Sequence, residues 1–263
     1  MLRAFSTAAT GMAAQQMMVD VTANNLANIN TNGFKRSQVD FQDLLYVKMR
    51  ESGMEVSSGV KSPSGLEIGS GVRVGSTVKV FSPGELMTTG RTLDVAITGD
   101  GFLQVSMTAD GSIKYTRDGA LQRNSTGALV TASGDLIEPA ITIPTDAIAV
   151  SIGTDGGVNI TTSAGAQSVA GYIQLARFPN PSGLANVGDN LLVQTEASGS
   201  PVTGTPGQNG IGTIQAGFLE KSNVQMITEL VNLIMAQRAY ETNSRAIRAA
   251  DEMLRKAIQI ARF

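Results

Sequence analysis

Acidic side chains next to glycine come closest, among the residues of this sequence, to the pattern of a chemical site. Gly99-Asp100-Gly101 superficially resembles a phosphate-binding loop, but it lacks the G-x-G-x-x-G spacing and does not open a helical segment. Five further aspartates lie at turns without the spacing of a calcium loop: Asp110, Asp118, Asp135, Asp146 and Asp155. This pattern indicates turns, in which Asp bonds nearby backbone groups, rather than a phosphate or metal site.

The charged residues of the C-terminal segment form no catalytic pattern either. Glu220, Glu229 and Glu241 lack the partner spacing of paired-carboxylate catalysis. Basic residues along the same segment, which we expect to pair with Glu241, Asp251 and Glu252, are Arg238, Arg245, Arg248, Arg255 and Arg262. We therefore predict no catalytic, cofactor-binding or metal-binding residue, and no enzyme.

The composition of the chain excludes further classes of function. The 263 residues include no His and no Cys, which removes the commonest general base, thiol nucleophiles and disulfides. The formal net charge of -2 is unfavourable for a nucleic-acid binder, because such proteins contact phosphates through an excess of Lys and Arg. Charged residues make up 16% of the chain, against about 25% in typical soluble domains. This low charge suits a surface that other subunits cover.

Long helices are predicted at the two ends of the chain. In each end segment, apolar residues recur in alternating steps of three and four, as in a helix that packs along another helix. In residues 2–26 the positions are Leu2, Phe5, Ala9, Met12, Gln16, Val19, Ala23 and Leu26. In a helix from about residue 222 to 261 they are Leu233, Ala236, Tyr240, Asn243, Ile247, Ala250, Leu254, Ala257 and Ala261. Only Gln16 and Asn243 are polar, so we expect a coiled-coil-like pair.

These helices carry more apolar surface than one partner helix covers. The only charged residues between Met1 and Phe34 are Arg3 and Asp20, whereas a solvent-exposed helix carries a charged outer face. One interpretation is an intramolecular helical hairpin. Self-assembly is favoured, because large exposed apolar patches mark interaction sites. Since isolated helices depend on tertiary packing, we expect both ends to be largely disordered until assembly.

The middle of the chain is predicted to be rich in β-structure. A polar stretch at 53–65, typical of a hairpin tip or a loop, precedes alternating apolar pairs at 66/68, 72/74 and 78/80. Further strand candidates, separated by turn dipeptides, are 94–97, 102–105, 113–116, 128–130, 141–143, 147–152, 158–160, 172–175 and 191–193. The predicted fold class is α+β: terminal helices flanking an extended β-hairpin region and an all-β inserted domain.

Shifts in pattern along the chain predict four segments. They are an N-terminal helix at 1–34, a connecting region at 35–92 with an insertion at about 46–64, a β-rich outer domain at 93–205, and a return segment with the C-terminal helix at 206–263. No segment reaches the ~18 uninterrupted apolar residues of a membrane span. Polar residues near the N-terminus interrupt the apolar run of a signal peptide. Export, if it occurs, is therefore expected without a cleaved leader.

Several segments resemble those of a known protein family. Residues 23–35 (ANNLANINTNGFK) are similar to the N-terminal signature of bacterial flagellar basal-body rod and hook axial proteins, and 219–224 (LEKSNV) and 236–241 (AQRAYE) to their C-terminal signature. GDGF at 99–102 and YTRDG at 115–119 resemble the family's shared β-region. The signature residues carried over by this resemblance are Asn24, Asn25, Asn28, Gly33, Phe34, Ser222, Asn223, Gln237, Arg238 and Tyr240.

Within the family, the chain is similar to the distal rod members, on its length, on DLLY at 43–46 with the insertion that follows, and on SGLEIGSGV at 64–72. The resemblance implies a subunit that polymerises helically into a straight, hollow drive shaft, which spans the periplasm and transmits motor torque to the hook. In those members the insertion is thought to keep the tube straight and stiff. The implied partners are further copies of the chain, proximal rod and hook proteins, the surrounding ring proteins and the flagellar type III export apparatus. No cofactor, nucleic acid or small-molecule substrate is implied.

Three other interpretations stay open. A proximal rod or hook-type axial subunit would belong to the same family. A non-flagellar secreted fibre subunit would share the self-assembling helices but leave basal bodies intact when it is absent. A secreted β-rich enzyme with helical oligomerisation ends would depend on Asp and Ser residues of the inserted domain, so substituting these one by one distinguishes it from a structural subunit.

Overall fold

The chain folds into two units that are built from interleaved stretches of sequence. The computed structural model describes residues 2–53, 55–57, 60–61, 63–107, 111–163 and 165–260. The helical unit comprises Met1–Leu26, Ser37–Val78 and Gln225–Phe263, and the β unit comprises Ala27–Arg36 and Lys79–Val224. The backbone therefore passes between the units at four points: after residues 26, 36, 78 and 224.

Two helices dominate the helical unit. They are α1 (Leu2–Ala27) and α2 (Met226–Ile260). Helix α1 ends where Asn and Gly, both poor helix formers, become frequent. In α2 the acidic Glu229 lies in the first turn, where it interacts favourably with the positive end of the helix dipole. Within the described residues, neither helix has the length and apolar character needed to cross a membrane.

Two contacts define how α1 and α2 approach each other. Asn25 Nδ2 donates to Glu229 Oε2 at 3.4 Å, near the end of α1 and the start of α2. Gly11 faces the amide of Asn243, whose Nδ2 would lie 2.8 Å from a Cβ atom at position 11. Because the residue numbers of the two contacts run in opposite directions, the helices are antiparallel where they meet.

Six strands complete the helical unit. They are β1 (Ser37–Asp43), β2 (Val47–Arg50), β3 (Glu55–Ser57), β4 (Val60–Lys61), β5 (Leu66–Ile68) and β6 (Val72–Lys79). β1 pairs with β6, β2 with β5, and β3 with β4. The last two pairs are antiparallel. The predicted apolar pairs 72/74 and 78/80 belong largely to one strand, β6, since the alternation continues through it without a turn.

Sixteen strands in the described residues form the β unit: β7 (Leu86–Thr88), β8 (Val95–Thr98), β9 (Phe102–Ser106), β10 (Ile113–Thr116), β11 (Gln122–Arg123), β12 (Leu129–Val130), β13 (Leu136–Glu138), β14 (Ala147–Ile152), β15 (Gly157–Thr162), β16 (Gln167–Tyr172), β17 (Leu175–Arg177), β18 (Ala185–Gly188), β19 (Leu191–Val193), β20 (Val202–Gly204), β21 (Thr213–Ala216) and β22 (Phe218–Glu220). A short 3-10 helix, Pro181–Gly183, precedes β18. This order of a helix, a mostly β middle and a second helix confirms the predicted α+β class.

The largest sheet of the β unit separates two apolar clusters. Its strand order is β11-β12-β13-β9-β10-β19-β18, with β17 also paired to β9 and to β20. Successive side chains of a strand point to opposite faces, and β9 shows this directly. Phe102 packs with Tyr115 and Phe178 on one face, whereas Leu103 and Val105 belong to the larger core on the other. The remaining strands form β14-β15-β16, β8-β21 and β7-β22.

Candidate functional site

Three buried charged side chains of the β unit, Lys35, Arg117 and Glu220, form the ion cluster. Lys35 Nζ donates to Glu220 Oε1 at 2.5 Å, and Arg117 Nη1 donates to Glu220 Oε2 at 3.0 Å. All three side chains are at least 94% buried. The three residues come from segments far apart in the sequence, so the cluster joins parts of the chain that local structure alone would not hold together.

Backbone groups complete the coordination of the ion cluster. Gly84 N donates to Glu220 Oε1 at 2.9 Å, and Lys35 Nζ donates to Ser82 O at 2.7 Å. Arg117 donates to the carbonyl oxygens of Gly99 and Gly101. The three side chains sum to one positive charge, and these carbonyl dipoles stabilise the cation that Glu220 alone does not neutralise.

Asn223 joins the chain segments that enter and leave the β unit. Its Oδ1 accepts a bond from Arg36 N at 2.8 Å, and its Nδ2 donates to Val80 O at 2.8 Å and to Ser82 Oγ at 3.0 Å. Arg36, Val80 and Asn223 each lie within two residues of a point where the chain passes between the units. Asn223 therefore holds three of these four connections together on the β-unit side.

Gly33 requires glycine for two physical reasons. Its φ of +66° lies in the left-handed region, and a Cβ atom there would lie 2.6 Å from the Arg117 carbonyl carbon. The close approach lets Gly33 N donate to Glu220 O at 2.7 Å. Gly33, a predicted signature residue, therefore brings the segment that carries Lys35 into contact with Arg117 and Glu220, the other two residues of the ion cluster.

Burial shifts the pKa of three side chains of the β unit, one of which belongs to the ion cluster. Burial lowers the pKa of Lys35 below its usual value of 10.5, with Glu220 opposing this shift and Arg117 adding to it. Burial also lowers the pKa of Lys79, whose Nζ lies 4.7 Å from the ring centroid of Phe34, and raises that of Tyr115.

The lowered pKa predicts how stability changes with pH. Between the lowered pKa of Lys35 and 10.5, the unfolded chain binds more protons than the folded chain, so this group's contribution to the free energy of unfolding rises with pH. Lys35→Met removes that rise and leaves the effects of Lys79 and Tyr115 in place. We expect the wild-type free energy of unfolding to increase relative to that of Lys35→Met as the pH rises from neutral towards 10.5. Urea unfolding at a series of pH values measures both free energies. If the difference between the wild type and Lys35→Met stays constant across this range, the prediction is wrong.

Asn25 plays a comparable joining role in the helical unit. Its side-chain amide exchanges two bonds with the backbone of Ser37, Nδ2 to the carbonyl oxygen and N–H to Oδ1, both at 2.8 Å. The same Nδ2 reaches Glu229. Asn25 and Glu229 are both 2% exposed. A single signature side chain therefore connects α1, β1 and α2.

The predicted heptad residues fall at different depths on the two helices. On α2 the predicted positions follow the covered side: Ala236 and Ala250 are buried, Leu233, Ile247 and Leu254 are half-buried, and Tyr240 and Ala257 are exposed. On α1 the predicted positions Phe5, Met12, Val19 and Leu26 are half-buried, and Ala9 and Ala23 are exposed. The buried residues of α1 are instead Ala8, Ala14, Thr22 and Asn25. The side chain of Leu2 and all of Ala261 and Arg262 lie outside the described residues.

The remaining signature residues are dispersed. Val19, Gln237 and Tyr240 line one groove with Gln16 and Glu241, so the structure brings these three predicted residues together. In the β unit, Thr31 Oγ1 donates to Asn28 Oδ1, Phe34 contacts Lys79, and buried Ser222 Oγ accepts a bond from Val224 N. The last two, both exposed, are Asn24 and Arg238.

Two of the five aspartates predicted to lie at turns make the side-chain bonds of a turn. Asp118 Oδ1 accepts a bond from Ala120 N, and Asp155 Oδ1 from Gly157 N, each two residues further along the chain. Asp110 lies outside the described residues. Across the described ranges, no group of three or more acidic side chains could hold a metal ion.

No role was predicted for Lys35, Arg117 or Glu220, although each lies in a segment that resembles the family. The available signal was charge in an otherwise uncharged context: Lys35 is the first charged residue after Asp20, and Glu220 follows the apolar run 216–219. Nothing in their spacing indicated that they meet, because the contacts span 103 and 185 residues.

The signature segments that meet at Lys35, Arg117, Glu220 and Asn223, the terminal helices and the β-rich middle all fall within regions that match, or align with, flagellar axial proteins. The chain matches the models "Flagella basal body rod protein" at residues 5–35, "Flagellar hook protein FlgE/F/G D1 domain" at 96–160 and "Flagellar basal body rod FlgEFG protein C-terminal" at 215–260. The chain belongs to the flagellar basal-body rod protein family.

Its similar relatives are named flagellar basal-body rod protein FlgG. The chain is 47% identical to that of Buchnera aphidicola subsp. Schizaphis graminum, over 95% of this chain and 96% of the relative. It is 44% identical to that of Agrobacterium fabrum, over 96% and 97%. It is 37% identical to that of Bacillus subtilis, over the full length of both chains.

Proposed function

We propose that this protein is a structural subunit of the distal rod, which polymerises helically into the straight hollow shaft that transmits motor torque to the hook. Its similarity to FlgG proteins over nearly the whole chain supports this assignment. Its partners are then further copies of itself, proximal rod and hook proteins, ring proteins around the rod, and the type III export apparatus. It acts in the basal body across the periplasm, without catalysing a reaction.

The observation that carries this proposal is an exposed apolar face on α2. At about 100° per residue, Ile227, Val231 and Ile234 lie on the side opposite Glu229 and Asn243, which face α1. Ile227 is 79% exposed, and the other two are about half exposed. Apolar surface of this extent marks an interaction site. In the proposed polymer, α1 and α2 pair as a coiled coil and this second face packs against neighbouring copies in the inner tube.

The ion cluster and Asn223 suit a subunit that carries mechanical load. Force that enters the β unit arrives through the backbone connections near Arg36, Val80 and Asn223. Hydrogen bonds of Asn223 tie these connections to one another, and the ion cluster ties them to β9 and β10 through Arg117. We propose that the ion cluster and Asn223 together distribute torque across several segments, so that no single strand is pulled out of the sheet.

Amide hydrogen exchange of the purified full-length chain at low concentration tests the proposal. We expect fast exchange in α1 and α2 and slow exchange in β9, β10 and residues 33–36, because the last are held by Glu220 and Asn223. Concentrated protein should then form straight tubes in electron micrographs, with both helices protected. Helices as protected as β9 in the dilute monomer, or the absence of any filament, would overturn the proposal.

A further inference from the structure

The two contacts between α1 and α2 share one spacing. Gly11 lies 14 residues before Asn25 on α1, and Asn243 lies 14 residues after Glu229 on α2. Fourteen residues are two heptads, so both contacts belong to a single antiparallel register. In that register Met18 lies opposite Ala236, midway between the two contacts.

We propose that the Asn25–Glu229 bond and the insertion of Asn243 at Gly11 fix the register of this helix pair. The inference rests on the coiled-coil pairing in the proposed function. Heptad periodicity alone tolerates a slip of seven residues, because each position then meets an equivalent one, whereas a polar side chain that is matched to one partner position specifies one register. A slip that moves α1 towards the end of α2 takes Asn25 from Glu229 to Ala236 and presses Asn243 against Met18 instead of a glycine.

The direction of the competing slip follows from the helix lengths. In the observed register, Leu2 lies opposite Glu252, so Met253–Ile260 extends beyond α1 by eight residues, about 12 Å. Met253, Ile258 and Ile260 on this extension are all more than half exposed. A slip towards the end of α2 covers this apolar extension and keeps α1 fully overlapped, whereas the opposite slip moves the end of α1 past the start of α2. The first slip is therefore the alternative that the polar contacts exclude.

A fixed register also fixes how far α2 extends beyond α1, a length that we expect assembly to depend on. Every subunit then presents the same C-terminal extension of α2, whereas a one-heptad slip shortens it by seven residues, about 10 Å. In a helical polymer, such an offset places each apolar side chain opposite the wrong neighbour. The polar contacts thus act as positioning residues for the tube rather than as contacts between subunits.

Disulfide trapping in the full-length chain tests the register, since the protein has no Cys of its own. Met18→Cys with Ala236→Cys reports the observed register, and Ala4→Cys with Ala257→Cys reports the slipped one. In concentrated protein we expect the first pair to form an intramolecular disulfide in most chains and the second in few. Adding Glu229→Leu and Asn243→Leu should raise the yield of the second pair several-fold at the expense of the first.

Matched variants separate the possible outcomes. Glu229→Gln keeps a hydrogen-bond acceptor for Asn25, and Thr242→Leu makes a similar polar-to-apolar change at an exposed site of α2, so both should retain the observed register. An unchanged yield of both pairs in the double variant, loss of both pairs, or disulfides formed between chains would overturn the proposal. If filaments never form but the trapping pattern holds, the register stands and the proposed function fails.

Discussion

Glu220→Gln is expected to lower the free energy of unfolding of the β unit by about 3–5 kcal/mol, the usual cost of leaving a buried charge without its partner. The ion cluster then changes from one to two net positive charges. Glutamine preserves the volume of the side chain and an acceptor for Lys35 and Gly84, but it directs an NH₂ group or a neutral oxygen at Arg117. Urea unfolding followed by tyrosine fluorescence measures the change, because the chain has four Tyr and no Trp.

Two variants show whether charge balance causes this loss. Lys35→Met brings the cluster to zero net charge and removes the bond to Ser82 O, so it should cost only about 1–2 kcal/mol. Glu85→Gln is the matched surface control, since Glu85 is 81% exposed and pairs with Lys221 at 3.6 Å, and it should cost less than ~1 kcal/mol. If Lys35→Met destabilises the β unit as much as Glu220→Gln, then the packing of the side chains, rather than the charge balance, accounts for the contribution of the ion cluster to stability.

Charging the exposed face of α2 is expected to abolish polymerisation and leave the monomer folded. Ile227→Asp together with Ile234→Asp removes two side chains that each contribute about 1.5–3 kcal/mol when fully buried, and places two carboxylates in the same contact. Each subunit contact then weakens by roughly 100-fold or more. Sedimentation of concentrated protein and electron microscopy of the pellet measure the loss of filaments.

A substitution elsewhere on α2 and the monomer's stability control for misfolding. Ala246→Asp adds the same charge at an exposed site of α2 that lies about 60–120° around the helix from the three residues of this apolar face, so it should leave filament formation unchanged. The urea midpoint of the double variant should match that of the wild type, because Ile227 and Ile234 are exposed in the single chain. Normal filaments from the double variant would mean that α2 assembles through another face.

The first residue of α2 was not predicted correctly from the sequence. The periodic pattern placed it at about residue 222, whereas the helix begins at Met226. Ser222 and Asn223 are residue types that favour positions before a helix, but this preference alone does not fix where the helix begins. Asn223 lies outside the helix because its amide bonds Arg36 and Val80, more than 140 residues away in the sequence, and a helical backbone would carry that amide out of reach.

In the β-rich middle, prediction succeeded where alternation was regular. The strands 113–116, 147–152 and 191–193 agree with β10, β14 and β19. The candidate 172–175 was wrong, because it spans the break between β16 and β17. The candidate 141–143 is buried, but it makes only an isolated bridge between Thr142 and Ala128; prolines at 139 and 144 flank it and cannot donate to a neighbouring strand.

The side of α1 that faces α2 could not be predicted from hydrophobicity. The apolar stripe lies about 130–140° around the helix from the line through Gly11, Met18 and Asn25. Helices approach most closely where side chains are small or bonded across the contact, and Gly11 and Asn25 meet those conditions without being apolar. Counting apolar residues therefore identified surface that is half-buried or exposed in the single chain, which the proposed polymer covers.

The two terminal helices, the β-rich middle and the family could all be predicted from the sequence, because periodicity and contiguous motifs are local properties of the chain. The ion cluster, the hydrogen bonds of Asn223 to Arg36 and Val80, and the register of the helix pair could not be predicted in this way. Those depend on groups that meet across 103 to 204 residues of sequence. A charge such as Glu220 has the same local pattern whether it faces water or two buried cations, and the difference becomes visible when the folded chain brings Lys35 and Arg117 to it.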